Sequence, residues 1–177
     1  MSEQSAPARY HPVHVVLHWL IAVFVLFFLI MGSFVMSPMP NSEELPLLQM
    51  HSAFGPILGV LIVIRIGSRF FLKRPAPADA GHPLLNFASK AVHFLLYVGV
   101  LLMLFSGANL SQAYGLMDIL SGNGSMPDDL FVYPQRSMHG IVGYVMLALV
   151  ALHFGAAMYH QFIRKDNLLG RMWFGKR

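Results

Sequence analysis

The sequence predicts an all-α integral membrane protein, folded as a four-helix up-and-down bundle, and three observations predict this fold. Hydrophobic residues make up 56% of the 177 residues and charged residues only 11%, whereas a soluble domain carries charge on roughly 25%. Four apolar stretches reach the length of about 20 residues that a membrane helix needs. The connections between these stretches are short except for one. The chain is therefore interpreted as a single transmembrane domain over residues 1–177.

The four helices are expected at about residues 13–37, 45–72, 88–110 and 136–164. Pro75 and Pro77 interrupt the chain after the second helix. The one long connection, 111–136, is rich in Gly, Asp, Ser and Pro, which is typical of a surface loop. A short interfacial helix is expected within it, around Tyr114–Leu120.

The basic residues predict the orientation in the membrane. Eleven of the twelve lie in the terminal segments or between the apolar stretches 45–64 and 91–110, which places them on one side: Arg9, Arg65, Arg69, Lys73, Arg74, Lys90, Arg164, Lys165, Arg171, Lys176 and Arg177. The other side carries Arg136 together with Glu43, Glu44, Asp118, Asp128 and Asp129. Cytoplasmic loops are enriched in Lys and Arg. Both termini are therefore expected in the cytoplasm, with the protein a multi-pass membrane protein.

Histidine is unusually frequent, with nine residues against eight acidic ones. Polar groups inside a membrane span are costly and usually mark function. His139 and His153 both lie on the fourth helix, 14 residues apart, which sets them about 40° apart around the helix and about 21 Å apart along it. One face of this helix therefore presents an imidazole near the outer surface and a second one towards the inner surface.

Two histidines on other helices lie at matching depths. The second helix enters from outside, so that His51 is level with His139, and the first enters from inside, so that His18 is level with His153. Each pair can fill both axial positions of a haem iron, and two b haems are therefore predicted. The absence of cysteine excludes covalent haem attachment and cysteine-ligated iron–sulfur clusters.

Each proposed ligand is followed four residues later, on the same helix face, by a small side chain. These small residues leave room for a flat porphyrin close to the backbone; they are Ala22, Gly55, Gly143 and Ala157. His93 and His160 are followed instead by Tyr97 and Arg164, which separates them from the four ligands. A zinc or copper site needs converging ligands, and the spacing of His139 and His153 excludes one that uses both.

A haem with two axial histidines has no open coordination site, so it moves electrons and does not bind oxygen. At the inner end, His160 is a candidate for delivering protons to a quinone, because a histidine titrates near neutrality, with Arg164 and Lys165 beside it. An interfacial anchor is the alternative role for His160, and His93 is a lesser candidate for the proton-delivering role. At the outer end the candidate is Arg136. Three other histidines are expected to face solvent or lipid headgroups: His11, His14 and His82.

These residues together resemble the bacterial cytochrome b561 family, in the superfamily that also holds the cytochrome b subunits of nickel–iron hydrogenases and formate dehydrogenases. The resemblance covers nearly the whole chain. It rests on Arg9-Tyr10 ahead of Leu17-His18-Trp19-Leu20, on His51 with Gly55 and Arg65, on His93, on His139, Gly143, His153 and His160, and on the closing segment Lys165-Asp166-Asn167-Leu168-Leu169-Gly170-Arg171-Met172.

The resemblance implies a four-helix bundle in the bacterial inner membrane with two b haems, ligated by the four histidines in the pairs given above. It also implies a quinone such as ubiquinone as one redox partner. Some small members of the family look like superoxide oxidases, which take an electron from superoxide outside and reduce ubiquinone. Fast capture of an anion benefits from a basic funnel. The outer loops of this chain are acidic, with Arg136 the one fixed positive charge near the outer haem. The loops therefore do not support superoxide as the substrate, although Arg136 alone could attract it.

Three hypotheses follow. The first is a di-haem cytochrome that exchanges electrons between a periplasmic donor and the quinone pool, and it is an oxidoreductase enzyme if the donor is superoxide. The second is a membrane-anchor subunit of a separate dehydrogenase or hydrogenase, docked through residues 111–136 or the basic C-terminus. The third is a haem-free scaffold or small transporter, for which broken helices near the midplane are usual. The lipid bilayer is the expected surrounding, an oligomer is compatible with the pattern, and no nucleic-acid partner is expected.

Overall fold

The structure is a computed structural model that describes residues 9–36, 40, 43 and 45–174. Its helices are α1 (Pro12–Ile30), α2 (Leu45–Phe71), α3 (Pro83–Ala113), α4 (Leu116–Leu120), α5 (Pro134–Met158) and α6 (Leu168–Arg171). Four of the helical segments are long and apolar enough to cross a membrane, and no strand occurs among the described residues. The prediction of an all-α membrane bundle of four helices is confirmed.

Two of the four spans continue past their α-helical part as π-helical turns. The first span ends with Met31–Met36 and the fourth with Tyr159–Arg164. A π turn packs an extra residue into the helix and occurs frequently at functional sites. The second of these turns carries His160 and Arg164, two candidate residues. Hydropathy and 3.6-residue periodicity do not reveal such a turn, so the sequence did not predict either one.

Two histidines set the beginnings of helices. The His82 side chain accepts a hydrogen bond from the backbone N–H of Leu84, and the following Pro83 needs no hydrogen-bond partner in the first turn. The third helix therefore begins at Pro83 rather than near residue 88. In the same way, His11 accepts from the N–H of Val13 at the start of α1. The predicted end of the first helix, residue 37, lies outside the described residues.

The long connection between α3 and α5 folds back onto the bundle. It contains α4, in agreement with the short helix expected there, and a 3-10 turn at Leu130–Val132. Gly115 begins α4 with a φ of +70°, a left-handed conformation that favours glycine. Leu116, Ile119 and Leu130 are buried, so the loop covers with apolar side chains the end of the bundle opposite the terminal segments, which the sequence analysis expects to be the outer end.

The bundle core lies where α5 packs along α3, which is the most extensive helix–helix contact. Gly99 of α3 allows this approach, because a Cβ at that position would collide with the sulfur of Met146 on α5. Small residues bring membrane helices together in this way. The core is built from eight buried apolar residues of α1, α2, α3 and α5: Leu17, Ile21, Leu29, Leu58, Ile62, Val100, Met146 and Leu149.

Candidate functional site

The structure brings four histidines together in two pairs across the bundle. His18 of α1 and His153 of α5 have their ring centroids 6.1 Å apart. His51 of α2 and His139 of α5 have theirs 6.0 Å apart. All four residues are partly buried. Since His139 and His153 share one helix, the two pairs lie about 21 Å apart along its axis.

His139 is held by a serine that the sequence analysis missed. Its Nδ1 lies 2.9 Å from Oγ of Ser106 on α3, and Ser106 is fully buried. The Ser106 hydroxyl donates to the Met103 carbonyl oxygen, so its oxygen is left to accept the N–H of the histidine. With the proton on Nδ1, the Nε2 of His139 keeps the lone pair that a metal ion requires.

The glycine next to that serine makes room for the ring. A Cβ added to Gly107 would lie 3.3 Å from Cε1 of His139, a contact tighter than a side chain normally accepts. Ser106 and Gly107 of α3 therefore position the His139 ring, the first by a hydrogen bond and the second by close packing. The adjoining Ser-Gly dipeptide in an apolar helix was the available sequence signal, although small residues at helix interfaces are common for packing alone.

His51 presents a buried nitrogen without a partner. Its Nδ1 is buried and has no hydrogen-bond partner in the described part of the chain. Its ring rests against Phe28 of α1, with the ring centroids 4.8 Å apart. Buried polar atoms nearly always have a partner. An orphaned imidazole nitrogen beside His139 therefore suits a site in which a further group is bound.

A third imidazole approaches the inner pair. The ring centroid of His93 on α3 lies 5.0 Å from that of His153, closer than His18. Its Nδ1 lies 2.7 Å from the Ser89 carbonyl oxygen, so that nitrogen carries the proton and donates it. The sequence analysis separated His93 from the ligands by the bulky residue four positions on, and it did not foresee this contact.

The four small residues that follow the paired histidines differ in the space around them. A Cβ on Gly55 would meet no atom within 4 Å, and one on Gly143 would meet only Cε of Met103, at 3.9 Å. Ala22 and Ala157 are partly buried. Both glycines therefore border space that the protein itself does not fill, as a porphyrin next to the outer pair requires.

The spacing within each pair fits an iron atom between the rings. Metal–histidine bonds are about 2 Å long, and two of them together with the ring radii span about 6 Å. The separations of 6.1 and 6.0 Å match this span. Across the described residues, no group of three or more His, Cys, Asp or Glu side chains is placed to hold a metal ion. Each pair offers two imidazoles, which suits a metal whose other ligands come with its cofactor.

The candidate residues of the inner end form a small polar network. His160 is buried, and its Nδ1 lies 2.5 Å from Oδ2 of Asp166. Arg164 places its Nε 3.6 Å from the same oxygen and donates to the Ala80 carbonyl oxygen. Lys165 is exposed, and its left-handed backbone, with φ +55°, ends the π turn. This turn reverses the chain, so that Asp166 comes back to His160.

The electrostatics of this network favour an ionised Asp166. Partial burial raises the pKa of the Asp166 carboxyl group, but the hydrogen bond and charge of His160, aided by Arg164, outweigh that effect. The pKa of Asp166 therefore lies below its ordinary value. A carboxylate is thus available at neutral pH to orient the imidazole of His160.

At the outer end, Arg136 lies one turn before His139 on α5. Its guanidinium carbon sits 4.9 Å from the centroid of the Phe131 ring, a cation–π contact. The side chain is partly buried. This contact holds the positive charge against the loop that covers the outer end of the bundle.

The expectation for His14 was wrong. It was expected to face solvent or headgroups, yet it is 2% exposed. The reason is its spacing: His14 precedes His18 by four residues and shares its inward helix face. Its Nδ1 lies 3.3 Å from Oγ of Ser68 on α2, and its Nε2 is buried without a partner in the described chain. The i, i+4 spacing was the signal that could have identified it.

Comparison with known proteins shows the family of the chain. The family model described as prokaryotic cytochrome b561 matches residues 9–175. Cytochrome b561 homolog 2 of Escherichia coli (strain K12) is 26% identical over 180 residues, which cover 97% of this chain and 95% of the relative. Cytochrome b561 homolog 1 of the same organism is 24% identical over 174 residues, 93% of this chain and 96% of the relative. No solved structure matches. The chain belongs to the prokaryotic cytochrome b561 family, bacterial membrane proteins that bind haem b and transfer electrons across the bilayer.

Proposed function

We propose that the chain is a single di-haem domain that passes electrons between an outer donor and the membrane quinone pool. One b haem binds between His18 and His153, and the other binds between His51 and His139. The observation that carries this proposal is the pair of imidazole couples, with ring centroids 6.1 and 6.0 Å apart, at two depths of the bundle. A haem held by both histidines of a pair would supply one-electron transfer and would not bind oxygen.

The distances favour His18 over His93 as the partner of His153. The rings of His93 and His153 are 5.0 Å apart, which is too close for an iron with a bond of about 2 Å to each nitrogen. The Nδ1 of His93 is also engaged by the Ser89 carbonyl oxygen. We therefore propose that His93 lies beside the inner haem without binding its iron.

Contacts at one end of the bundle support an orientation with both termini in the cytoplasm. Arg164 donates to the Ala80 carbonyl oxygen and Arg171 to that of Ala76, while the Tyr10 N–H donates to the Arg171 carbonyl oxygen. These contacts join both terminal segments to the connection between α2 and α3, where the basic residues cluster. Because cytoplasmic segments are rich in Lys and Arg, we place this end in the cytoplasm and the protein in the inner membrane.

Quinone reduction is assigned to the same end. Ubiquinone takes up two protons with its two electrons, and a quinone site therefore needs an acid–base group close to the haem. His160 lies seven residues after His153 on the same helix face, and Asp166 holds its Nδ1. This arrangement lets the imidazole give a proton to a quinone while the carboxylate fixes its orientation. Arg164 contributes a positive charge beside the carboxylate.

The donor is assigned to the outer end, next to His51 and His139. Superoxide oxidation is the special case in which an anion approaches under the charge of Arg136, held over the Phe131 ring. A periplasmic redox protein is the other class of donor. Superoxide given to purified protein with oxidised ubiquinone distinguishes the two classes, because only the first reduces the haem without a further protein.

The first test is the haem content of the purified full-length protein. We expect two b haems per chain from the pyridine haemochrome assay, with the reduced-minus-oxidised bands of low-spin b haem. His82→Ala serves as the control substitution, because His82 caps α3 and faces solvent, and it should keep both haems. A ratio of one haem or none per chain would contradict the proposal.

The second test addresses the quinone. Oxidation of the pre-reduced protein by a ubiquinone analogue is followed by stopped-flow absorbance. We expect His160→Ala and Asp166→Asn to slow this reaction by about 10²–10⁴-fold if proton delivery limits the rate, with the haem spectrum unchanged. Unchanged rates in both variants would remove these residues from the quinone site and leave the haem assignment intact.

A further inference from the structure

Arg65 places a positive charge inside the second span. Its Nε donates to the Tyr97 hydroxyl oxygen at 3.0 Å, and its Nη1 donates to the His14 carbonyl oxygen at 2.9 Å. The side chain is partly buried, and it links α2 to α1 and to α3. No carboxylate of the described residues is paired with it. A charge within a membrane span is costly and is usually paired or functional. We therefore expect an anionic group to bind this guanidinium.

The position of Arg65 relative to the inner pair is set by helix geometry. His14 precedes His18 by one turn on the same face, about 6 Å along the axis. Arg65 is bonded to the backbone of His14, so its guanidinium lies at the side of His18 that faces the chain termini. It is close enough to His18 and to His153 to act electrostatically on both. The positive charge therefore faces the space next to the inner imidazole pair.

A hydroxyl group lies beside the guanidinium. The Tyr97 hydroxyl accepts a hydrogen bond from Arg65 and keeps its own proton to donate. The imidazole of His14 offers no second donor, because its Nδ1 proton is directed to Ser68, whose hydroxyl donates to the Arg65 carbonyl oxygen. The guanidinium and the hydroxyl are together suited to bind a carboxylate.

Lipid phosphates are the other source of anionic oxygen at this end of the bundle. The exposed Arg69 and Arg74 are suited to them, since basic side chains near helix ends reach the headgroups. Arg65 differs, because two hydrogen bonds hold it between helices, next to an imidazole that solvent does not reach. Haem b carries two propionate groups, and these are the carboxylates that would lie inside the bundle.

We infer that Arg65 and Tyr97 form a binding site for the propionate carboxylates of the haem held by His18 and His153. This inference rests on the proposed function. The site has two physical effects. It neutralises carboxylates that would otherwise be buried uncompensated, and its positive charge favours the reduced state of the iron, which carries one positive charge less than the oxidised state.

The test is a redox titration of the purified holoprotein. In Arg65→Gln we expect both haems to remain bound and the equilibrium constant for reduction of the inner haem to fall about tenfold, which is about 59 mV for one electron. Arg65→Lys keeps the charge and should keep most of the potential. Arg74→Gln removes the same charge from an exposed position at the same end and should cause a much smaller change. The inner haem is identified as the one that persists in His51→Ala.

The outcomes distinguish a failure of this inference from a failure of the proposed function. Unchanged potentials in Arg65→Gln with two haems bound would overturn the inference, and so would an equal shift in Arg74→Gln, which would indicate a general surface field. A wild-type protein without two haems would contradict the proposed function instead. If Arg65→Gln does not fold, Tyr97→Phe decides, because the propionate bending bands in the resonance Raman spectrum should shift in this variant, and unchanged bands would overturn the inference.

Discussion

At the scale of single residues, the account depends on which ring nitrogen of each histidine is free. Ser106 fixes this for His139: its hydroxyl donates to Met103 and accepts from Nδ1, so that Nε2 is left free to bind a metal ion. A hydrogen-bond acceptor at the other ring nitrogen raises the basicity of a metal-bound histidine. It therefore contributes to the redox potential as well as to the orientation of the ring.

Ser106→Ala should raise the midpoint potential of the outer haem. Loss of the hydrogen bond makes the His139 imidazole a weaker donor to the oxidised iron, and one such bond is worth roughly 0.5–1.5 kcal/mol, or about 20–65 mV for one electron. Ser106→Thr keeps the hydroxyl and should restore the wild-type potential. A redox titration measures both. An outer-haem potential that is the same in all three proteins would contradict the role of Ser106.

At the same scale, substitution of Gly55 tests whether a porphyrin lies against the second helix. A Cβ at this position meets no protein atom within 4 Å, so Gly55→Leu should leave helix packing intact and displace the outer haem. Gly67 on the same helix also borders open space, and Gly67→Leu is the matched control that should keep both haems. The haem-to-protein ratio is the measurement. Two haems in Gly55→Leu would show that no porphyrin lies against this glycine.

At the scale of helices, the contact between α3 and α5 supports both histidine pairs. α5 carries His139 and His153, while α3 contributes Ser106 to the outer pair and His93 to the surroundings of the inner one. Close approach of the two helices at Gly99 fixes their relative height. A disturbance there should therefore affect the bundle and both sites together.

Gly99→Ala should destabilise the folded protein by about 1–3 kcal/mol, the usual cost of overpacking, because the new methyl group collides with the buried sulfur of Met146. Combining it with Met146→Ala should recover part of the loss by removing the collision. Gly67→Ala, which meets no neighbour, is the control. Thermal unfolding in detergent, followed by helical circular dichroism, measures the effect. A Gly99→Ala protein as stable as the wild type would refute the packing argument.

At the scale of the whole molecule, the fold could be predicted from the sequence because few backbone structures can cross a bilayer. Four apolar segments of spanning length must form helices, and the depth of each histidine then follows from the order of the spans. His51 and His139 were placed at one depth, and His18 and His153 at another, by this reasoning alone. The structure brings the members of each pair together, and their role as ligands remains a prediction.

Other parts of the site depend on side-chain detail that spacing does not contain. The approach of His93 to His153 is set by the rotation of α3, and the sequence fixes that rotation only through packing. The π turn that carries His160 and the chain reversal that returns Asp166 to it leave no periodic signal. His14 was judged by its distance from the apolar core, although its spacing from His18 placed it on the inward face.

The pairing of the histidines is the central claim, and the haem content of single-histidine variants tests it most directly. His18→Ala and His153→Ala should each lose the same haem and keep the other, while His51→Ala and His139→Ala should show the reverse, as resolved by redox titration. His93→Ala should keep both haems. If the two members of either pair lost different haems, or if His93→Ala lost one, the assignment of the ligands would be wrong.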